Sequence, residues 1–316
     1  MVHDRDTLSF YVSPGHHGRI MREAYWANGE DCPVVMCFGQ DPLLFCMASM
    51  PLPWGMSEYD FAGYLKGRPI DVVKGELTGL PIPATAEIAI EGFAPAPGVA
   101  AKMEGPFGEW TGYYASGASV EPVVKVKAIY HRDDPILHGQ PPLIPTISPT
   151  FPIPIHSAST IWSALEKGGM PGVKAVWVHG PGNRSIPVIS IEQKYHGHAK
   201  QIASFVSATF HGNACNGRII IVVDDDIDPS NLEEVLWAVS TRCDPETAID
   251  TVRGYLTSPL DPILSPEKRA MQDMTAAKIF IDACRPYRWR KTFPAVNAAS
   301  PEQKQAVAKK WRELFQ

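Results

Sequence analysis

Alternation of apolar and polar residues marks the first half of the chain as rich in strands. A period of two, typical of half-buried antiparallel strands, recurs at residues 8–12, 87–91 and 123–129. Residues 34–38 form a short apolar run that predicts a buried strand. Helical spacing of apolar residues follows at 19–28 and at 57–66. The second of these helices is expected to begin after a capping Ser57 and to end at Gly67.

The second half of the chain predicts a different architecture. Six prolines fall within the seventeen residues 138–154, a density that excludes regular helix and central strand and indicates an extended connection. Beyond it helices and strands alternate as in an α/β layer, with helices predicted at 156–167, 197–210 and 231–241 and strands at 173–178, 186–191 and 218–223. We therefore expect a strand-rich domain over 1–140 and a smaller α/β domain over 141–298.

A final helix is predicted over residues 299–316. Ser300 and Pro301 provide a cap and a proline at the first helical position. One side of the helix carries the apolar residues Ala306, Val307, Trp311, Leu314 and Phe315. A stripe of this size is rarely left exposed on a soluble monomer. We expect the helix to leave its own domain and pack on a second subunit, in a homo-oligomer such as a dimer or a hexamer.

Composition excludes several classes of protein. The 316 residues carry 29 lysines and arginines against 34 aspartates and glutamates, a net charge of −5, without a basic block that would neutralise a nucleic-acid backbone. The longest aliphatic run is 219–223, against about 18 residues needed to cross a bilayer. The charged start is unlike a signal peptide, and six cysteines without a C-x-x-C pair suit a reducing compartment. We expect a cytoplasmic protein that binds neither nucleic acid nor membrane.

Two carboxylates flank a turn in the segment Glu104-Gly-Pro-Phe-Gly-Glu109. The Gly-Pro-x-Gly turn is able to bring both side chains into one space. Paired carboxylates in a shielded pocket have separated pKa values, so that one holds a proton near neutral pH. The following aromatic residues offer an apolar wall: Phe107, Trp110, Tyr113 and Tyr114. On spacing alone, the alternative is a surface loop with two solvated glutamates.

An acidic run, 224–228, lies between a predicted strand and a predicted helix. Its carboxylates are compatible with a magnesium-dependent site that handles phosphate. The stronger interpretation is structural: Asp228 or Ser230 caps the following helix, with Glu233 completing a capping box. The sequence contains no Gly-x-Gly-x-x-Gly, Walker or Gly-x-Ser-x-Gly motif.

Two adjacent histidines, His16 and His17, precede the first predicted helix. Neighbouring side chains diverge by about 100° on a helix and point to opposite sides of a strand. One of the two is therefore able to reach a site while the other faces solvent.

The segment Glu104-Gly-Pro-Phe-Gly-Glu-Trp-Thr-Gly-Tyr-Tyr114 closely resembles the UbiD family of decarboxylases, which use prenylated flavin mononucleotide. Further segments also resemble the family and occur in the same order along the chain. They are residues 48–53 with Ser57-Glu58, residues 86–92, and residues 220–228 continuing through Trp237 to Arg242. The resemblance covers essentially the whole chain but only the later two thirds of a typical member. It implies an α+β and α/β fold: a strand-rich UbiD-like flavin-binding domain that is incomplete at its N-terminus, a smaller α/β oligomerisation domain and a C-terminal helix.

The resemblance also implies cofactor contacts. In the family a divalent metal, Mn2+ or Mg2+, often with K+ beside it, holds the flavin phosphate and is ligated by an Asn, a His and a Glu. His16 and Glu58 match the last two, and imidazole, carboxylate and phosphate oxygens suit such a cation. Further positions that correspond to flavin contacts are Ser49, Met50, Pro51 and, near a phosphate-facing lysine of relatives, His211.

The chain departs from the family pattern at its start. Members carry an Asn-x-Gly-x-Tyr-Arg motif just before the segment that matches Val2-His3-Asp4. That motif supplies the metal-binding Asn and an Arg that bridges the two catalytic glutamates, and neither residue is in this sequence. Without them the glutamates lack a counter-charge and the metal lacks a ligand. We expect the isolated chain to be a poor decarboxylase: a fragment, a misplaced start, or one part of a split enzyme with a separate N-terminal subunit.

The activity implied is reversible decarboxylation of a small aromatic or α,β-unsaturated carboxylic acid, including hydroxybenzoates such as vanillate or protocatechuate. Glu109 is predicted to deliver the proton after carbon dioxide leaves. Glu104 is predicted to orient the Arg and to set the electrostatics around Glu109. The alternative is a non-catalytic truncated paralogue that keeps the α/β domain and the terminal helix for assembly.

Overall fold

In the computed structural model the first half of the protein is built on an antiparallel sheet. The structure describes residues 1–12, 16–50, 52–115, 117–137, 139, 143–144, 153–180, 184–210 and 215–312. The strands of this half are β1 (Val2–Asp4), β2 (Thr7–Ser9), β3 (Cys32–Phe38), β4 (Val72–Lys74), β5 (Pro81–Pro83), β6 (Ile88–Ala94), β7 (Ala101–Glu104) and β8 (Ser119–His131). The main sheet has the spatial order β1-β2-β8-β6-β3, and β7 also pairs with β8. β4 and β5 form a separate two-stranded sheet.

The first half also contains three helices, α1 (His17–Ala27), α2 (Pro42–Ala48) and α3 (Glu58–Lys66). Helix α1 packs on β3, and α2 packs on α3. Helix α3 follows the sequence prediction, because the Ser57 hydroxyl accepts a hydrogen bond from the Asp60 amide and Gly67 ends the helix with φ +71°. Helix α2 was not predicted. Asp41 caps it by accepting from the amides of Leu43 and Leu44, so the Asp-Pro pair at 41–42 was the available sequence signal.

A fully buried carboxylate holds the β4–β5 hairpin against the main sheet. Glu91, on β6, accepts hydrogen bonds from the Leu77 and Thr78 amides, the Thr78 hydroxyl and the Tyr130 hydroxyl. Burial alone would raise its pKa, but these donors outweigh that effect and lower the pKa of Glu91 to about 2. Gly75 allows this approach, because a Cβ there would collide with the Glu91 carboxylate.

The second half forms a mixed sheet with helices on both faces. Its strands are β9 (Val173–His179), β10 (Ile186–Ile191), β11 (Ile219–Asp224), β12 (Ile249–Leu256) and β13 (Thr275–Ala283). Its helices are α4 (Ile153–Lys167), α5 (His198–Thr209), α6 (Leu232–Arg242), α7 (Pro245–Ala248) and α8 (Pro266–Ala270). The spatial order is β12-β13-β11-β10-β9. The central pairs β10–β11 and β11–β13 are parallel, and both edge strands are antiparallel.

Apolar residues on the two faces of this sheet form separate cores. One core packs α4 and α5 against the sheet through Ile161, Leu165, Ile202 and Val206, none more than 1 % exposed. The other packs α6 against the opposite face through Val235 and Ala238. This three-layer arrangement agrees with the α/β layer predicted from the alternation of elements. Most of the proline-rich connection predicted at 138–154 lies outside the described residues.

The acidic run after β11 has a structural role. Asp224 accepts from Arg242, from the backbone and side chain of Arg285 and from Gln193, and Asp226 binds Arg242 through both carboxylate oxygens. Within the described part of the chain no cluster of three metal-ligating side chains is found. Ion pairs with arginines thus occupy Asp224 and Asp226, two of the carboxylates on which the magnesium alternative depends.

The cap of α6 differs from the sequence prediction. Asn231, rather than Asp228 or Ser230, caps the helix by accepting from the Glu233 and Glu234 amides. Asp228 instead accepts from the Ser230 amide and hydroxyl in the preceding turn. The chain thus makes one additional turn before the helix starts, and the capping role moves to the next suitable side chain.

The last helix, α9 (Pro301–Lys310), is exposed along its described length. Val307 is 53 % exposed and Trp311 is 47 % exposed, whereas Leu314 and Phe315 of the predicted stripe lie outside the described residues. In the described chain, every helix is too short or too polar to cross a membrane.

The Glu91 network predicts a pH-dependent stability. Replacing Glu91 by Gln leaves buried donors without an ionised acceptor, so we expect the free energy of unfolding at pH 7 to fall by about 2 kcal/mol or more. Because the folded-state pKa lies below the ordinary value of 4.5, this stabilisation is present above pH 4.5 and is lost as the pH falls toward 2. Urea titrations from pH 7 down to pH 3 measure the difference.

The exposed neighbour Glu76 provides the matched control. We expect Glu76→Gln to change the free energy of unfolding by less than about 0.5 kcal/mol at either pH. A Glu91→Gln variant as stable as the parent at pH 7 would contradict the assignment.

Candidate functional site

Glu104, the first of the two predicted catalytic glutamates, ends strand β7 in a buried position. Its side chain has one anchored oxygen, because Oε1 accepts a hydrogen bond from the Tyr11 amide at 3.2 Å. The other oxygen, Oε2, is buried without a hydrogen-bond partner. A buried carboxylate oxygen without a donor is costly. It marks a place where a further donor group fits.

Glu109 lies five residues later, in a loop fixed by its own backbone. Its amide donates to the Tyr113 carbonyl at 3.0 Å, and its carbonyl accepts from the Gly112 amide at 2.8 Å. The side chain is half-buried, accepts no hydrogen bond from any described residue, and burial raises its pKa. The carboxyl therefore tends to keep its proton to higher pH than a solvated glutamate does.

The turn between the two glutamates needs a glycine. Gly105 adopts φ +86°, a conformation that side chains disfavour, directly after Glu104. The described structure contains no hydrogen bond between the two carboxylates. They occupy different environments, one anchored and buried, the other half-buried and unanchored.

A histidine and a glutamate from separate helices lie close together in the same half of the chain as most of the other residues predicted to contact the cofactor. His17 is the first residue of α1 and Glu58 the first of α3, and Nδ1 of His17 lies 3.8 Å from Oε1 of Glu58. This is longer than a hydrogen bond. The His17 ring also makes an edge contact with Trp54, at 5.0 Å between centroids. An imidazole nitrogen and a carboxylate oxygen, facing each other without a hydrogen bond, are a donor pair that a divalent cation accepts.

The histidine beside Glu58 is thus His17, one residue after the predicted His16. His16 is the N-cap residue of α1 and is exposed, so the His16 assignment has no contact that supports it and stays a prediction. The sequence predicted that one of the two histidines is able to reach a site while the other faces solvent. The sequence did not predict the first residue of α1. That residue decides which of the two histidine side chains points inward.

Two of the other residues predicted to contact the flavin, Ser49 and Met50, lie at the end of α2. Ser49 is its C-cap residue, and the hydroxyl donates to the Cys46 carbonyl at 2.7 Å. Met50 packs against the small core shared by α2 and α3. Pro51 and His211 lie outside the described residues.

A cationic group that sequence reasoning missed lies next to the Glu109 loop. The Arg184 guanidinium carbon stands 5.3 Å from the centre of the Trp110 ring, and burial lowers the pKa of Arg184. Arg184 comes just before β10, in the α/β half, whereas Trp110 directly follows Glu109. No motif distinguishes Arg184 in the sequence, because its position depends on how the two halves contact each other.

The sequence matches models of one protein family along nearly the whole chain. The model of the 3-octaprenyl-4-hydroxybenzoate carboxy-lyase Rift-related domain, UbiD, matches residues 1–144. The model of the 3-octaprenyl-4-hydroxybenzoate carboxy-lyase C-terminal domain, UbiD_C, matches residues 153–283.

Curated relatives include two phenolic acid decarboxylases. That of Bacillus subtilis strain 168 is 33 % identical over 269 residues, which are 84 % of this chain and 55 % of the relative. That of Sedimentibacter hydroxybenzoicus is 34 % identical over 270 residues, 84 % of this chain and 54 % of the relative. The chain therefore spans just over half the length of these relatives.

Solved structures give the same result. The open form of vanillic acid decarboxylase from Sedimentibacter hydroxybenzoicus superposes with a TM-score of 0.84 at 31 % identity, covering 99 % of this chain and 65 % of that one. A UbiD-class enzyme from Pelotomaculum thermopropionicum in complex with FMN superposes with a TM-score of 0.81 at 28 % identity, covering 97 % and 65 %.

The fold class implied by the sequence resemblance is confirmed by these superpositions. Two domain models of one family match in order, and the structure carries the Glu104 to Glu109 turn that first indicated the resemblance. The chain belongs to the UbiD family of carboxy-lyases.

Proposed function

We propose that the chain is the part of a UbiD-type decarboxylase that provides the proton donor and the protein ligands of a flavin phosphate–metal site. The substrate is a small aromatic or α,β-unsaturated carboxylic acid, hydroxybenzoates included. The observation that carries the proposal is the pair Glu104 and Glu109. One carboxylate is anchored with an unpaired buried oxygen, and the other has its pKa raised by burial.

Each glutamate has a distinct task in this proposal. Glu109 holds a proton at Oε and transfers it to the carbon that carbon dioxide has left, because burial favours its neutral form. Glu104 offers Oε2 to a donor outside the described residues, and a guanidinium fits this position. That donor is the Arg that the resemblance places in an upstream segment or a separate N-terminal subunit.

The residues present fit the implied cofactors. His17 and Glu58 would provide one imidazole nitrogen and one carboxylate oxygen for Mn2+ or Mg2+, with phosphate oxygens completing the ligand set. Glu58 also lies at the N-terminus of α3, where the helix dipole favours negative charge. When bound, prenylated FMN supplies the electron sink for decarboxylation. FMN in the related Pelotomaculum thermopropionicum structure supports the choice of a flavin.

An assembly function is the second candidate, and the exposure of α9 favours it. Val307 and Trp311 present apolar surface to solvent on a helix that is exposed along its described length. A non-catalytic paralogue that assembles through this helix would keep α9 and the α/β half but would not need Glu109.

The metal proposal predicts which histidine binds. We expect His17→Ala and Glu58→Ala each to weaken Mn2+ binding in the presence of FMN at least about 10-fold, because each removes one of the protein ligands. Isothermal titration of the purified chain with Mn2+ measures the dissociation constant.

The adjacent His16 provides the control. Since His16 is exposed at the helix cap, His16→Ala should leave Mn2+ binding within about twofold. Loss of binding in the His16 variant with retention in the His17 variant would instead support the original sequence assignment.

The proton-donor proposal predicts the effect of a Glu109 variant. We expect the purified chain to bind prenylated FMN weakly and to release little carbon dioxide from hydroxybenzoates, and we expect an upstream family segment, fused or supplied separately, to restore both. In the restored protein Glu109→Gln should then lower turnover by at least about 100-fold, because the amide has no transferable acid proton.

Flavin fluorescence distinguishes a chemical from a structural effect of this variant. Flavin binding should stay within about threefold in Glu109→Gln, and an exposed-residue control, Glu30→Gln, should keep full turnover. Unchanged turnover in Glu109→Gln would remove Glu109 from the mechanism.

The exposed helix predicts self-association. We expect the chain to sediment as a dimer or larger, and Val307→Asp combined with Trp311→Asp to shift it toward monomer, because charges replace the apolar contact. Sedimentation velocity over a concentration series measures this. Gln305→Asp adds a charge on the same helix and should leave the assembly intact if the apolar side is the contact. A monomeric parent chain would exclude the assembly function.

A further inference from the structure

Two hydrogen bonds tie the backbone around Arg184 to the start of β11. The Arg184 carbonyl accepts from the Gly217 amide at 3.0 Å, and the carbonyl of the next residue, Ser185, accepts from the Ile219 amide at 3.2 Å. β11 is the central strand of the five-stranded sheet in the α/β half. The backbone of Arg184 is therefore fixed relative to the core of that half.

The half-buried guanidinium of Arg184 lies against an aromatic ring. Its central carbon is 5.3 Å from the centre of the Trp110 ring, within the range in which a cation is attracted to the face of an indole. In the described part of the chain no carboxylate forms an ion pair with Arg184, and burial lowers the pKa of Arg184. The ring is therefore the group that compensates this cation for its lost hydration.

Trp110 belongs to the loop that carries the proposed proton donor. It directly follows Glu109 in the loop 105–118, whose two ends are held by the paired strands β7 and β8. Hydrogen bonds of Glu109 with Tyr113 and Gly112 fix the shape of this turn from within. The Arg184 contact adds a support from outside the loop, because it joins Trp110 to the sheet of the other half.

We propose that Arg184 is a positioning residue for the proton donor, which it holds in place through the stacking contact with Trp110. The inference rests on the proposed function of Glu109. In this role Arg184 touches neither substrate nor cofactor. Its planar cation matches the face of the indole ring, so that an uncharged side chain of similar length keeps part of the packing but loses the attraction.

The position of the Glu109 carboxyl depends on its backbone to an unusual degree. The carboxyl accepts no hydrogen bond from any described residue, so the loop alone sets where it stands. Proton transfer requires the donor within hydrogen-bond reach of the reacting carbon, and a displacement of about 1 Å can cost about 100-fold in rate. Loss of the Arg184 support should therefore slow the chemical step more than it weakens substrate binding.

Fluorine NMR of the purified chain tests the contact without cofactor or turnover. The eight tryptophans are replaced by 5-fluorotryptophan, and Trp110→Phe identifies the Trp110 resonance by its loss. We expect Arg184→Met to shift this resonance and Arg184→Lys to shift it less. Arg253→Met, which removes an exposed arginine of β12, should leave it unchanged. An unchanged Trp110 resonance in Arg184→Met would overturn the inference.

Turnover of the chain supplied with the upstream family segment tests the consequence of the contact. We expect Arg184→Met to lower kcat at least about 10-fold and to leave KM within about twofold, because a displaced donor slows proton transfer more than it weakens binding. Arg184→Lys should recover part of the lost kcat, since it keeps a cation over the ring. A role in folding alone predicts no such recovery and no difference between kcat and KM.

A double-mutant cycle separates the stacking contact from independent effects. Trp110→Leu should lower kcat as Arg184→Met does, and the double variant should be no slower than the slower single variant, because both changes remove one contact. Additive losses, or the parent kcat in Arg184→Met, would overturn the inference and leave the proposed function standing. If thermal melting shows that Arg184→Met does not fold, Arg184→Gln replaces it in each measurement.

Failure of the proposed function has its own signature. Unchanged turnover in Glu109→Gln, or no turnover even with the upstream segment, would refute the role of Glu109 and with it the positioning role of Arg184. The Arg184 variants do not affect that comparison, because Glu109→Gln is measured in a chain that keeps Arg184 and Trp110.

Discussion

Pairing along strand β8 fixes the position of the candidate site. β8 pairs with β7 through Glu104 and Ser119 and with β2 through Ser9 and Val123. These two registers bring the chain after β2 to the end of β7, where the Tyr11 amide donates to the Glu104 carboxylate. A slip of one residue between β7 and β8 would turn Glu104 to the other face of the sheet, and a slip between β2 and β8 would displace the Tyr11 amide. The backbone hydrogen bonds of β8 thus set the orientation of the Glu104 side chain.

Buried polar groups in this protein differ in how fully they are paired. Glu91 and Asp224 each accept several hydrogen bonds, and these networks hold a hairpin and a helix in place. Glu104 Oε2 and His156 Nε2 are buried without partners. An unpaired buried group destabilises a fold, so Glu104 Oε2 is a position where a ligand or another segment would supply a donor.

The sequence predicted the secondary-structure elements better than it predicted the contacts between them. Periodicity and caps located α3, β10 and most of the α/β layer, because local patterns and caps act within a few residues. Helix α2 was missed although Asp41 and Pro42 signalled it. The inward turn of His17 depends on where α1 starts, and Arg184 reaches Trp110 only because two halves of the chain meet. Such properties arise from tertiary packing, so neither composition nor spacing reveals them.

The two glutamates differ in freedom as well as in burial, and this difference suits the roles proposed for them. Glu104 is tied to the Tyr11 amide at the end of a paired strand, so it holds a fixed direction and suits the task of orienting another group. Glu109 has its backbone fixed by Tyr113 and Gly112 while its carboxyl accepts no hydrogen bond from the described residues. A proton donor needs a defined position together with a carboxyl that is free to turn toward the reacting carbon. Burial raises the pKa of Glu109 and so favours the protonated form that the proposed role needs.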